Sequence, residues 1–242
     1  MDKRIYMDHA ATTPVDPEVV AAMLPFFSNE YGNPSSIHRW GQRADHAVTS
    51  AREDLANILN CEVDEIIFTS CGSESDNLAL RGIALAARER GNGNHIIVSA
   101  IEHPAILETA QHLRNYHGFD ITVLPVDQHG FTSAEDLRNA IQPDTFLVSI
   151  MYANNEIGVI QPIFELAEIA HEYNILFHTD AVQAAGQLPL DVKNLGVDLM
   201  SLSAHKFYGP KGVGLLYARR NTLAHPHQTG GSQENGLRAG TH

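Results

Sequence analysis

An α/β fold built on a mixed, mostly parallel sheet is predicted by three features of the sequence. Seven short runs of β-branched and aliphatic residues recur along the chain. They do not alternate polar with apolar positions, as expected for strands covered on both faces by helices. Helical patterns fill the stretches between them, except between the last two runs. There a Gly/Pro turn leaves no room for a crossover helix, so that pair is expected to be antiparallel. At 242 residues and 43% hydrophobic composition the chain can bury a full core, and one continuous domain over 1–242 is the simplest reading.

The elements follow in order. Residues 1–15 read as irregular. Asp16-Pro17-Glu18 then supplies an N-cap with proline at the first helical position, opening a helix through Phe27. A second helix is expected from about Ile37 to Asn60. The seven strands are expected at Ile66-Ile67-Phe68, Ile96-Ile97-Val98, Ile121-Thr122-Val123-Leu124, Phe146-Leu147-Val148-Ser149-Ile150, Ile175-Leu176-Phe177, Leu199-Met200-Ser201-Leu202 and Val213-Gly214-Leu215-Leu216-Tyr217.

Charge and cysteine content exclude several function classes. With 29 acidic against 16 basic residues the formal charge is -13, which argues against nucleic acid or an anionic membrane as partner. Cys61 and Cys71 form no C-x-x-C pair, so neither a disulfide framework nor a structural zinc site is suggested. The start, Met1-Asp2-Lys3-Arg4-Ile5-Tyr6, has no apolar run behind its basic residues, and no stretch of about 18 apolar residues occurs. The expected setting is the cytoplasm. His225-Pro226-His227 offers two imidazoles without a third ligand and reads as solvated.

In an open α/β sheet the ligand site lies beyond the carboxyl ends of the strands, and three segments there carry chemistry. Thr69-Ser70-Cys71-Gly72-Ser73-Glu74-Ser75 passes from a strand through small residues into a helix. Its outward amides suit a phosphate, although Ser73 three residues before Asp76 also fits a capping box. His178-Thr179-Asp180 places an acid at a strand end, either as the partner of a cofactor ring nitrogen or as a helix cap. Ser203-Ala204-His205-Lys206 sets an amine before the rigid turn Tyr208-Gly209-Pro210-Lys211-Gly212, a setting that can desolvate a lysine into a nucleophile. Phosphate turn, acid and lysine in one α/β domain point together to pyridoxal 5'-phosphate (PLP).

On these and other motifs the whole chain resembles the cysteine desulfurases, PLP-dependent enzymes of fold type I that supply sulfur for iron-sulfur cluster assembly. The motifs include Asp8-His9-Ala10-Ala11-Thr12-Thr13-Pro14, Gly32-Asn33-Pro34-Ser35-Ser36, Glu102-His103, Asn154-Asn155-Glu156-Ile157-Gly158, Asp180 with Gln183, and Gly236-Leu237-Arg238-Ala239-Gly240-Thr241. The resemblance implies that Lys206 holds PLP as a Schiff base and shuttles the substrate's α proton. It implies that Asp180 pairs with the ring nitrogen and that His103 stacks on the ring and assists proton transfer. Asn155 and Gln183 would bond around the phenolic oxygen, and Gly72, Ser73, Ser203 and His205 would hold the phosphate. Thr241 would reach the phosphate of the other subunit, which implies a homodimer acting on L-cysteine, with a sulfur acceptor or iron-sulfur scaffold as a further partner.

The family's small C-terminal domain, with its catalytic cysteine and carboxylate-binding arginine, has no counterpart in these 242 residues. Cys71 reads as a structural replacement for a small residue, and Cys61 as packing. Desulfuration by this chain alone is accordingly expected to be impaired. Two other readings stay open: a different fold type I enzyme, such as a cysteine, cystine or selenocysteine lyase, and a PLP-binding protein without catalysis.

Overall fold

A computed structural model describes residues 4–222 and 225–241. Met1, Asp2 and Lys3 at the polar start, and His242 at the other end, lie outside them. The first helix, α1 (Pro17–Ser28), begins where the sequence predicts: Asp16 Oδ1 accepts from the Glu18 amide at 2.8 Å, and Pro17 fills the first position. The second, α2 (Arg39–Leu59), is capped by the His38 ring at its start and stops on Asn60 in the left-handed conformation.

All seven expected runs are strands: β1 (Ile66–Thr69), β2 (His95–Ser99), β3 (Asp120–Leu124), β4 (Thr145–Ser149), β5 (Leu176–Asp180), β6 (Leu199–Ser203) and β7 (Gly214–Ala218). Between them run α3 (Gly72–Arg90), α4 (Pro104–His117), α5 (Ala134–Ala140), α6 (Ile163–Glu172) and the short α7 (Val192–Leu195). One sheet results, in the order β1-β7-β6-β5-β4-β2-β3. Strands β2 to β6 pair in parallel, and β7 runs antiparallel to both β6 and β1. The β6/β7 pair is thus antiparallel, as the missing crossover helix requires.

Helices cover both faces, which explains the continuous apolar runs. On one face α3 and α4 bury Leu78, Ile83, Ile106 and Leu113 against Ile96, Val98 and Leu147. On the other, α2, α5, α6 and α7 pack Leu59, Leu137, Leu166 and Val192 against Val148, Phe177 and Met200. The carboxyl ends of β1, β2, β4, β5 and β6 all reach the same edge. In register, Gly214 of β7 pairs with Thr69 of β1 on one side and Ser203 of β6 on the other. The turn into α3 and the segment leading to Lys206 therefore stand side by side.

Phe177, on central strand β5, has no exposed surface. Phe177→Ala leaves a cavity that the surrounding helices cannot fully close, and should cost about 3–5 kcal/mol in urea denaturation with little change in the slope of the transition.

Candidate active site

At that edge a cavity of about 580 Å³ opens. It is lined by Gly72, Ser73, His103, Asn155, Asp180, Gln183, Ser203, His205 and Lys206, together with Asp8, Ala10, Ala11, Cys71, Asp76, Met151, Glu156 and Val182. Nine of the ten residues picked out by sequence are brought together here. The tenth, Thr241, is exposed and lines a separate apolar groove with Phe26, Tyr31 and Arg238.

The anion end is built by α3. Its N-cap is Cys71, whose side chain makes no capping bond, so a Ser73–Asp76 capping box, the alternative to a phosphate turn, is not what closes this end. Instead the Ser70 amide donates to Glu74 Oε2 at 2.7 Å, and Glu74 Oε1 is held at 3.0 Å by Arg238. Asp76 turns inward and is 2% exposed. The first amides of α3 stay free to meet an anion. Opposite them, Ser203 Oγ is buried without a hydrogen-bond partner. A Cβ on Gly72 would stand 2.8 Å from Val182 Cγ2 and 3.3 Å from Ser203 Cβ, so only glycine lets the helix start come this close. The ring of His205 bonds Thr12 Oγ1 at 3.0 Å, and burial followed by Lys206 and Lys211 lowers its pKa.

Lys206 ends a single 3-10 turn after β6. Its Nζ donates to the carbonyl of Ala10 and, at 2.9 Å, to that of Ala11. Burial pushes its pKa down, while Asp180 and Asp8 work against that. The N-terminal segment thus straps across the lysine. Thr13 reinforces it, donating its amide to the His205 carbonyl at 2.9 Å and accepting from the Tyr208 amide at 2.8 Å. The Asp16 amide donates to the Tyr208 carbonyl at 2.9 Å. Tyr208, held from both sides, takes the left-handed φ of 66°, uncommon for a bulky residue. Gln183 joins the strap through Nε2 to the Ala10 carbonyl at 2.8 Å. This strap was not foreseen in the sequence.

Asp180 sits at the carboxyl end of β5, 5% exposed, with Oδ1 accepting from the Val182 amide at 2.9 Å. Burial raises its pKa, and the Val182 amide, His103 and Lys206 oppose the rise. His103 caps α4, its Nδ1 accepting from the Ala105 amide at 3.1 Å, while also lining the cavity. Asn155 Nδ2 donates to Glu156 Oε1 at 2.6 Å. Next to His103 stands Glu102, buried, accepting from the Met151 amide at 2.8 Å and from the Ser99 hydroxyl, with Oε2 unpartnered. Burial pushes its pKa up to about 8. Of the cysteines, Cys71 borders the anion end of the cavity and Cys61 packs against the core, where burial raises its thiol to about 12. His225 pairs with Glu89 at 2.8 Å.

A model of the aminotransferase class-V family matches residues 5–239. The cysteine desulfurase IscS of Dictyoglomus turgidum is 55% identical over 241 residues, covering 100% of this chain and 60% of the relative. That of Methanosarcina thermophila is 55% identical over 240 residues, covering 99% of this chain and 59% of the relative. Among solved structures, a NifS-like protein superposes with a TM-score of 0.95 at 44% identity, covering 99% of this chain and 66% of its own. The structure described as SspA in complex with cysteine gives 0.93 at 43%, covering 98% and 68% respectively. The chain spans about 60% of the length of the curated relatives it matches.

Glu102 supplies a test of the buried electrostatics. Its folded pKa, about 8, lies above the ordinary 4.5, so the folded state holds the proton more tightly. The stabilisation is full below pH 4.5 and is lost as pH rises through 8. Wild type should therefore lose stability relative to Glu102→Gln across that window when urea midpoints are compared. A stability difference that does not change with pH would show that Glu102 is ionised in the folded protein.

Proposed function

The chain belongs to the aminotransferase class-V family, and from that premise we propose that it is the cofactor-binding large domain of a PLP-dependent cysteine desulfurase, which takes sulfur from L-cysteine and leaves L-alanine. The observation that carries the proposal is the gathering of Lys206, Asp180, His103, Ser73 and Ser203 around one cavity at the carboxyl edge of the sheet. Relatives named cysteine desulfurase IscS, and a solved relative described in complex with cysteine, support the substrate.

The residues present fit PLP. Ser203 Oγ lacks a partner and lies against the close-approach glycine and the free amides of α3, as an anion site needs. Ser73, Ser203 and His205 would hold the phosphate there, and Asp180 would hold the ring nitrogen. When bound, PLP supplies an aldehyde that condenses with an amine and a ring that accepts electrons from the substrate's α carbon. Lys206 Nζ, whose charged form is disfavoured by burial, is the amine suited to the covalent link and to moving the α proton. Asp180 would supply negative charge to the ring nitrogen. His103, Asn155 and Gln183 orient the bound groups. Neither Cys61 nor Cys71 is assigned the sulfur-accepting role, which we place in the part of the relatives that this chain does not span.

A second copy of the chain and a separate sulfur-acceptor or iron-sulfur scaffold protein are the proposed partners. The homodimer is supported by α1, in which no residue is buried: Val20, Leu24, Phe26 and Phe27 are 42 to 72% exposed. Thr241, exposed outside its own cavity, is available to a neighbour. Both cysteines are free thiols, in keeping with a cytoplasmic setting. No helix among the described residues is long and apolar enough to cross a membrane.

Two experiments test these proposals. Purified chain mixed with PLP should gain visible absorbance that Lys206→Ala abolishes, and added cysteine should yield little alanine, because the sulfur-accepting thiol lies outside these residues. A protein that takes up no PLP overturns the cofactor reading. Colour without alanine restricts this chain to cofactor binding, and pyruvate with ammonia points to a lyase. For the dimer, Phe27→Glu places a charge in the apolar face of α1 and should shift sedimentation from dimer to monomer at micromolar concentration; a wild-type monomer would refute the interface.

A further inference from the structure

Behind Asp180 lies a second carboxyl group to which the proposed mechanism gives no role. Asp76 stands four residues after Gly72 on α3, hence on the same helical face, and is 2% exposed. Its Oδ1 has no hydrogen-bond partner. His178 Nε2 on β5 is 3.8 Å away, beyond hydrogen-bond reach. Both nitrogens of His178 are already engaged, Nδ1 with Ser149 Oγ at 2.8 Å and Nε2 with Ser201 Oγ at 3.0 Å. Burial drives the His178 pKa down to about 3, so the ring is neutral and offers Asp76 no counter-charge.

Asp76 and Asp180 border the same cavity. We propose that Asp76 is a positioning residue that stays an uncharged acid behind Asp180, so that this part of the pocket carries one carboxylate charge, on Asp180, rather than two. Two desolvated carboxyls in one site share a proton, and their surroundings decide which keeps it. Asp180 has the Val182 amide at 2.9 Å, the His103 ring and the Lys206 amine to favour its charged form. Asp76 has burial, Asp180, Glu102 and Cys71 against its charged form, and the Ser201 hydroxyl alone in its favour. The proton therefore belongs on Asp76. For the proposed enzyme this concentrates negative charge where the ring nitrogen would sit. That consequence rests on the PLP reading, whereas the protonation of Asp76 does not.

The test uses the full chain freed of PLP, labelled with carbon-13 at the aspartate carboxyls, and read by NMR at neutral pH. One aspartate carboxyl carbon should keep the protonated chemical shift while the exposed aspartates are ionised. Asp76→Asn should remove that signal and Asp180→Asn should retain it. The proposal is overturned if wild type shows no such signal or if Asp180→Asn abolishes it. Should Asp76→Asn fail to fold, wild type and Asp180→Asn still decide. With PLP added, Asp76→Asn should bind within about threefold of wild type, since a neutral amide replaces a neutral acid, whereas Asp180→Asn should weaken binding at least about tenfold by losing a charge-assisted bond. Failure of every variant and of wild type to bind PLP would sink the cofactor reading and leave the NMR result standing.

Discussion

Much of this structure depends on one position where a side chain is impossible. Gly214, at the start of β7, pairs on both flanks, with Thr69 and with Ser203. A Cβ there would stand 2.5 Å from the Cys71 carbonyl carbon and 2.6 Å from Thr69 Oγ1. The bare backbone lets the β1–α3 turn fold over the end of β7. The first amides of α3 then face the buried Ser203 hydroxyl across the two outer flanks of one antiparallel strand. Any larger residue would push the turn away and open the anion end of the cavity.

The rest of the pocket is an arrangement of charge around that frame. Three carboxyl groups lie at or near the carboxyl edge with little exposure, Asp76 at 2%, Asp180 at 5% and Glu102 at 5%. Burying three negative charges together would be prohibitive without compensation. The protein resolves this unevenly. The Lys206 amine, the His103 ring and a backbone amide converge on Asp180, serine and backbone donors meet one oxygen of Glu102, and Asp76 receives almost nothing. An acid at a strand end is thus set apart from its neighbours by what surrounds it.

The fold was legible because its signals are local. Unalternating apolar runs gave every strand, Asp16-Pro17 the start of α1, and the Gly/Pro turn the antiparallel β6/β7 pair. Nine of the ten chosen site residues converge because small residues, an acid and a lysine at strand ends are local features too. Asp76 shows where local reading stops. Ser73 and Asp76 have capping-box spacing, but Glu74 satisfies the Ser70 amide instead, and Asp76 is drawn beneath the helix towards β5. Nothing within a few residues of Asp76 reveals that it will face His178. The strap was hidden for the same reason, since backbone carbonyls carry no residue-type signal.

That strap ties the burial of Lys206 to the completion of folding. The amine of Lys206 is held by carbonyls 195 and 196 residues away along the chain, and His205 meets Thr12 across 193. Contacts of such separation form only after a long loop has been closed at an entropic cost. Until the first residues and the sixth strand have found each other, the lysine is an ordinary solvated side chain. The burial that lowers the pKa of this amine is therefore a late product of assembly, absent from a partly folded chain.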